Sequence, residues 1–294
     1  MQQLFAEIPQ SEAVQSFEDR LMEMEVPSWT IHEDRIKKTL ALIGYFESED
    51  EGLASYGKIR AVFPFLPEKP ITVPVADRNW KEAYKEHFRP WCHEGLHWVP
   101  EWLRQQYPLP RGDKAIYLDP GMAFGTGNHE TTRLCAIRLV EAAKEWEGNL
   151  FQRSVIDAGC GSGILAISAQ KMGFGSVSGF DIDAAAVKIA EENAAINHME
   201  GRIQWSTADV AAGLKGRQAD LVMANILANV LIQNMTTLIN SVLPGGRLVL
   251  SGILAREIDE VKTVYENGAR TLWRVYECKS RIEGEWADLL LCRI

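Results

Sequence analysis

The sequence predicts an α/β protein: a doubly wound, mostly parallel sheet preceded by a small α+β domain of ferredoxin-like order. Three observations predict it. The run Val155-Ile156-Asp157-Ala158-Gly159-Cys160-Gly161-Ser162-Gly163-Ile164-Leu165 reads as a buried strand that breaks into a glycine turn and then a helix. From Lys114 onward strands alternate with helices, the pattern of a parallel sheet with helices on both faces. Residues 1–76 read as strand, helix, two strands, helix and strand, a split βαβ unit. A chain of 294 residues has room for one large and one small domain. A small domain is therefore expected over 1–76, a connector over 77–112 and a large domain over 113–294.

In the small domain, Phe5 to Ile8 is a strand, and Ser11 caps a helix whose Val14, Phe17, Leu21 and Met24 share one face. Trp29 to His32 and Leu40 to Phe46 read as strands, Glu49 to Phe63 as a helix and Ile71 to Val75 as the closing strand. The connector is punctuated by Trp80, Trp91, Trp98 and Trp102 and by Pro90, Pro100, Pro108 and Pro110. Within it, His93-Glu94-Gly95-Leu96-His97 matches a zinc-protease pattern that works only on a helix, where the two imidazoles share a face. Gly95 and the flanking prolines disfavour that helix, and strand, turn, strand is expected instead.

In the large domain, the glycine turn leads into a helix from Ile164 to Met172. Its first free N–H groups point at whatever fills the turn. The strand Ser176 to Phe180 ends at Asp181, at the chain distance where a carboxylate accepts the hydroxyls of a ribose. A helix from Ala184 to Ile196, a strand from Ile203 to Ser206 ending near Asp209, and a strand from Ala219 to Ala224 ending in Asn225 follow. Pro244-Gly245-Gly246 is expected to turn into a strand from Arg247 to Ser251. Thr271 to Glu277 and Trp286 to Arg293, on either side of a Gly284 loop, form an antiparallel hairpin at the sheet edge. Ligands of such sheets bind beyond the strand C-termini, where Gly159, Asp181, Asp209 and Asn225 are expected to converge. The third glycine falls one place short of the G-x-G-x-x-G dinucleotide fingerprint, with Ile164 in its place. That offset disfavours an NAD-dependent dehydrogenase.

Composition narrows the class. The chain is 46% hydrophobic and 24% charged, ordinary for a globular protein with a sizeable core. No apolar run reaches membrane-spanning length, and the start Met1-Gln2-Gln3-Leu4-Phe5-Ala6-Glu7 lacks the basic and apolar regions of an export signal. The five cysteines are odd in number and scattered, as free thiols in a reducing compartment are, so a cytoplasmic protein is expected. A net charge of -9 argues against a nucleic-acid groove. Through Arg60 there are twelve acidic residues against six basic ones, a surface suited to a lysine-rich protein partner or simply a solvated face.

The chain resembles the class I S-adenosylmethionine-dependent methyltransferases, and within them the bacterial family that methylates protein eleven of the large ribosomal subunit. The residues that carry the likeness are Asp77-Arg78-Asn79-Trp80, the run Leu118-Asp119-Pro120-Gly121-Met122-Ala123-Phe124-Gly125-Thr126-Gly127-Asn128-His129-Glu130-Thr131-Thr132, the glycine turn, Asp181-Ile182-Asp183 and Asn225-Ile226-Leu227-Ala228. Asn128 and Glu130 depart from the family pattern. The resemblance implies a monomer in which 1–76 recognises the substrate and 113–294 transfers methyl groups from S-adenosyl-L-methionine to lysine ε-amines and the N-terminal α-amine. No metal and no direct nucleic-acid or membrane recognition is implied.

Roles follow from that resemblance. Gly159, Gly161 and Gly163 are expected to admit the methionine part of the cofactor, Asp181 and Ile182 to hold its nucleoside, and Asp209 to accept from the adenine amine. Thr132, at the start of a helix to Lys144, is expected to offer a hydroxyl to the cofactor carboxylate or else to cap its helix. Asn225 and the backbone carbonyl of Ile226 are expected to accept N–H bonds from the incoming amine. Phe124, Thr126 and His129 are expected to face the substrate. Two other readings stay open: a lysine methyltransferase of another protein, such as an electron-transfer flavoprotein subunit, and a non-catalytic ribosome-binding module.

Overall fold

The computed structural model describes residues 2–8, 29–34, 39–46, 48–74, 89–119 and 129–294. The chain divides into two compact units, Met1–Glu86 and His87–Ile294.

In the first unit, alternation along β1 (Gln2–Ile8) buries Leu4, Ala6 and Ile8 on one face. β2 (Trp29–Asp34), β3 (Thr39–Phe46) and β4 (Ile71–Pro74) complete an antiparallel sheet of order β2-β3-β1-β4. Having β1 and β3 side by side at the centre is the order of a ferredoxin-like sheet. Helix α1 (Glu49–Val62) begins where Ser48 Oγ accepts from the Glu51 amide at 3.2 Å. Glu49, Asp50 and Glu51 complement the positive end of that helix. It buries Tyr56 and Ile59 against Leu4, Trp29, Leu42 and Phe46. The helix expected from Ser11, with Val14, Phe17, Leu21 and Met24, lies outside the described residues.

In the second unit, β5 (Trp91–His93) and β6 (Leu96–Pro100) form the expected hairpin, with Glu94 and Gly95 both at positive φ in the turn. His93 and His97 therefore do not share a helical face. His97 bonds Tyr107 Oη at 2.7 Å and Asp113 Oδ2 at 2.8 Å, and among the described residues no cluster is arranged to hold a metal. Strand β7 (Lys114–Leu118) pairs in parallel with β6 in a separate three-stranded sheet. This corrects the expectation that the large sheet begins at Lys114: a period-2 pattern fixes a strand but not its partner.

The large sheet holds β8 (Ser154–Ala158), β9 (Ser176–Asp181), β10 (Ile203–Thr207), β11 (Ala219–Asn225), β12 (Val242–Leu254), β13 (Tyr276–Glu283) and β14 (Trp286–Arg293). Its order is β10-β9-β8-β11-β12-β14-β13, parallel except that β14 runs antiparallel to both neighbours. Adjacent residues of the central strands face opposite cores. Val155, Met223, Val249 and Leu290 pack with α2 (Glu130–Glu145), α3 (Ile164–Met172) and α4 (Ala184–Ile196). Ile156, Val222, Leu250 and Leu289 pack against α5 (Val210–Leu214), α6 (Ala228–Gln233), α7 (Met235–Asn240) and α8 (Ile258–Leu272). That is the doubly wound arrangement, with both faces covered.

Two boundaries differ from expectation. Pro244-Gly245-Gly246 lies inside β12 as an irregularity, because the register with β11 slips between Ala219↔Val242 and Leu221↔Arg247. Thr271 and Leu272 end α8, and the penultimate strand runs Tyr276–Glu283, so only a tight turn at Gly284 separates it from β14.

Candidate functional site

The site is built where β8, β9, β10 and β11 end on one edge of the sheet. Between β8 and α3 the chain must reverse sharply, and Gly159, Gly161 and Gly163 take φ values of 76°, 51° and 80° to do so. The Gly159 and Cys160 amides both donate to the Phe180 carbonyl, at 2.8 and 2.9 Å, which ties the turn to β9. Asp181, the last residue of β9, closes the same loop: its Oδ2 accepts from the Gly161 amide at 2.9 Å and its Oδ1 from the Asp183 amide at 3.0 Å. Beneath the turn, Asp157 Oδ2 accepts from the Ala166 amide at 3.1 Å. Burial pushes the Asp157 pKa up to about 7 against the lowering effect of that amide, and the nearby Asp181 charge adds to the rise. Burial likewise raises the Cys160 thiol, so it is no thiolate nucleophile.

Above these strand ends lies a cavity of about 590 Å3, within the size range of small-molecule sites. Gly159, Gly161, Asp181, Ile182, Asp209, Asn225, Ile226 and His129 all line it, so the expected convergence is met. Ile182 is 75% exposed and Leu227 67%, an unusual exposure for large apolar side chains that here gives the cavity apolar walls. Asp209 Oδ1 caps α5 through the Ala212 amide at 2.7 Å.

Thr132 is fully buried in the first turn of α2 and lines a small adjoining recess with Gly159, Gly161 and Asn225. The cap of that helix is not Thr132 but His129, whose Nδ1 accepts from the Thr131 amide at 3.4 Å. Asn225 Nδ2 donates to Thr132 Oγ1 at 3.3 Å. Asn225 Oδ1 is buried and has no hydrogen-bond partner among the described residues. An orphaned buried acceptor is costly, and a ligand that donates to it would remove that cost.

Gly163 does not line the cavity. A β-carbon there would lie 2.8 Å from Ala190 Cβ and 2.9 Å from Trp205 Cη2, so this glycine serves the packing of α3 on its neighbours. Phe124 and Thr126 lie outside the described residues. Reasoning from sequence missed Trp286, Asn234 and Gly252, which also line the cavity. Trp286 stands edge-on to the His129 ring, with centroids 4.8 Å apart. Its only local signal is a tryptophan opening a strand after the Gly284 turn, too far along the chain from the other residues to be grouped with them.

A seven-stranded sheet of this order, with the antiparallel β14 and a glycine turn facing a carboxylate at the next strand end, defines a class I S-adenosylmethionine-dependent methyltransferase. The family model described as Ribosomal protein L11 methyltransferase (PrmA) matches residues 3–293. The chain is 34% identical over 279 residues to the ribosomal protein L11 methyltransferase of Pelobacter propionicus, covering 92% of this chain and 87% of that one. It is 38% identical over 235 residues to the one from Trichlorobacter lovleyi, covering 79% and 74%. A solved structure of the ribosomal protein L11 methylase from Lactobacillus delbrueckii subsp. bulgaricus is similar at a TM-score of 0.58 and 31% identity, over 68% of this chain and 96% of that one. This chain belongs to the ribosomal protein L11 methyltransferase family.

Proposed function

We propose that the protein methylates ribosomal protein L11 at lysine ε-amines and the N-terminal α-amine, in the cytoplasm and as a monomer, recognising its substrate through 1–76 and using 113–294 for transfer. The observation that carries the catalytic reading is the buried, unpartnered Asn225 Oδ1 beside Ile226, in a cavity that also holds Asp181 and the glycine turn.

The residues present fit S-adenosylmethionine. The Asp181 carboxylate, its orientation held by two backbone amides, would accept from the ribose hydroxyls. Ile182 would pack on the adenine, and Asp209, with one oxygen engaged in capping, would accept from the adenine amine through the other. Gly159 and Gly161 would let the amino-acid part lie against backbone, and the Thr132 hydroxyl, near the positive end of α2, would hold its carboxylate. The cofactor supplies an electrophilic methyl group on a positively charged sulfur.

Transfer is an in-line displacement, so the protein's task is to hold a neutral amine on axis. A free lysine, with a pKa of about 10.4, is almost wholly protonated at neutral pH. Desolvation between Leu227 and Trp286 lowers that pKa, as would the positive charge of the cofactor. Asn225 Oδ1 and the Ile226 carbonyl then accept the two remaining N–H bonds and aim the lone pair. His129 and Trp286 form the rim through which the side chain enters.

Incubation with labelled S-adenosylmethionine and undermethylated ribosomal proteins, followed by mass spectrometry, tests this reading. Label on L11 amines is expected; label on RNA alone overturns it.

A further inference from the structure

We propose that Gly252 is a positioning residue for methyl transfer, holding the Ile226 carbonyl in place from one side while Gly159 holds the Ile226 side chain from the other. The proposal rests on the reading of Asn225 and Ile226 given above.

Strands β11 and β12 pair in register from Leu221↔Arg247 to Asn225↔Ser251, and pairing stops there. The next residues along, Ile226 and Gly252, therefore stand side by side beyond the last rung. Gly252 takes a φ of +80°, at an irregularity where the register of β12 with β14 shifts between Leu250 and Ile253. An ideal β-carbon on Gly252 would lie 2.9 Å from the Ile226 carbonyl carbon, 3.1 Å from its amide nitrogen and closer still to its carbonyl oxygen. The Ile226 peptide thus occupies the volume any other residue at 252 would fill. On the opposite side, a β-carbon on Gly159 would overlap Ile226 Cγ2. Both glycines and Ile226 line the cavity.

Two independent facts separate this arrangement from an ordinary turn glycine. Gly245 lies in the same strand with a φ of +74° and nothing within 4 Å of its would-be β-carbon. Glycine at 245 thus meets a backbone requirement alone, whereas glycine at 252 also makes room for a particular peptide. Moreover, Ser251 Oγ donates to the Ala287 carbonyl at 3.3 Å, and Ile253 pairs with Ala287, so the irregularity is anchored to the strand that carries Trp286. The peptide bearing the proposed amine acceptor is thereby fixed relative to both the glycine turn and the rim.

The test compares Gly252→Ala with Gly245→Ala, by kcat on L11, by Kd for S-adenosylmethionine from calorimetry, and by melting temperature. Both variants carry the positive-φ strain of alanine and both are expected to melt lower. Gly252→Ala is expected to lose kcat by about a hundredfold, the scale of an ångström-sized misplacement, with cofactor Kd within about threefold of wild type. Gly245→Ala is expected to keep the wild-type kcat. Equal kcat for the two variants, or a Gly252→Ala loss confined to cofactor affinity, overturns the proposal. If Gly252→Ala does not fold, Ile226→Ala decides: it keeps the carbonyl and removes the side chain both from Gly159 and from the core it packs against, and an undiminished kcat overturns the two-sided hold. Failure of the parent reading is distinguishable, since Asn225→Ala would then keep the wild-type kcat on L11.

Discussion

Asn225 Nδ2 donates to Thr132 Oγ1 at 3.3 Å, so the last residue of β11 and the first turn of α2 are joined directly above the glycine turn. The bond spends the donor end of the amide and leaves its oxygen for another partner. In Asn225→Ala, the amine loses one of its two proposed acceptors while the proposed nucleoside contacts of Asp181 and Ile182 are untouched. A fall in kcat of about a hundredfold is expected, with cofactor Kd within about threefold of wild type. Single-turnover kinetics and calorimetry separate the two, and equal loss in both would remove Asn225 from the transfer step.

Asp181 predicts the opposite split. Its two oxygens are held by the Gly161 and Asp183 amides, so its orientation is fixed before any ligand arrives. A hydrogen bond to a charged group contributes about 1.5–3 kcal/mol, so Asp181→Ala is expected to weaken cofactor binding by roughly ten- to hundredfold. At saturating cofactor, kcat on L11 is expected to stay nearer wild type than in Asn225→Ala.

These two residues mark how far the sequence is legible. The helices Ile164–Met172 and Ala184–Ile196 were readable to their ends, since Gly163 and Gly173 bracket the first and Asp183 caps the second. Asp181 and Asn225 stand at the ends of apolar runs, and a parallel sheet brings such ends together. The penultimate strand begins later than expected because Leu272, Trp273, Val275 and Tyr276 read as one apolar run, whereas Leu272 ends α8 and Trp273, at its C-cap, packs into the core beside that helix. Gly252 belongs to the site through the pairing of β12 with β11 and Trp286 through that of β14 with β12, and no local pattern carries a long-range register.

Arg138 and Asp288 predict where the fold is most vulnerable away from the site. Arg138 in α2 gives Asp288 in β14 two bonds of 2.8 Å, Nε to Oδ2 and Nη2 to Oδ1, and Asp288 is fully buried. Removing one partner strands a buried charge, so Asp288→Ala is expected to cost about 3–5 kcal/mol of stability. Glu141, which bridges Arg138 and Arg281 at a partly exposed position, is expected to cost no more than about 1 kcal/mol when replaced by alanine. Urea unfolding of the two variants checks the ratio. A double replacement, Arg138→Met with Asp288→Leu, is expected to recover most of the loss, because no charge is then left unpaired.

Asp157 predicts a pH dependence of stability with a definite sign. Burial raises its pKa from 3.8 to about 7 in the folded chain. Below pH 3.8 the carboxyl is protonated whether the chain is folded or not. Between there and pH 7 the folded chain keeps a proton that the unfolded chain has released, so stability falls as pH rises, by at most about 1.4 kcal/mol per unit for one proton. Above that range both states are ionised and the slope from this group ends. Asp157→Asn cannot titrate and carries no such slope. The melting temperature of the variant relative to wild type is therefore expected to climb from about pH 5 to about pH 7 and to level off beyond it. Asp181, Cys160 and Cys135 also face Asp157, and burial holds both thiols too high to titrate in that range. A difference that stays flat across that range would mean that Asp157 is already ionised in the folded protein, with its charge stabilised by more than the Ala166 amide.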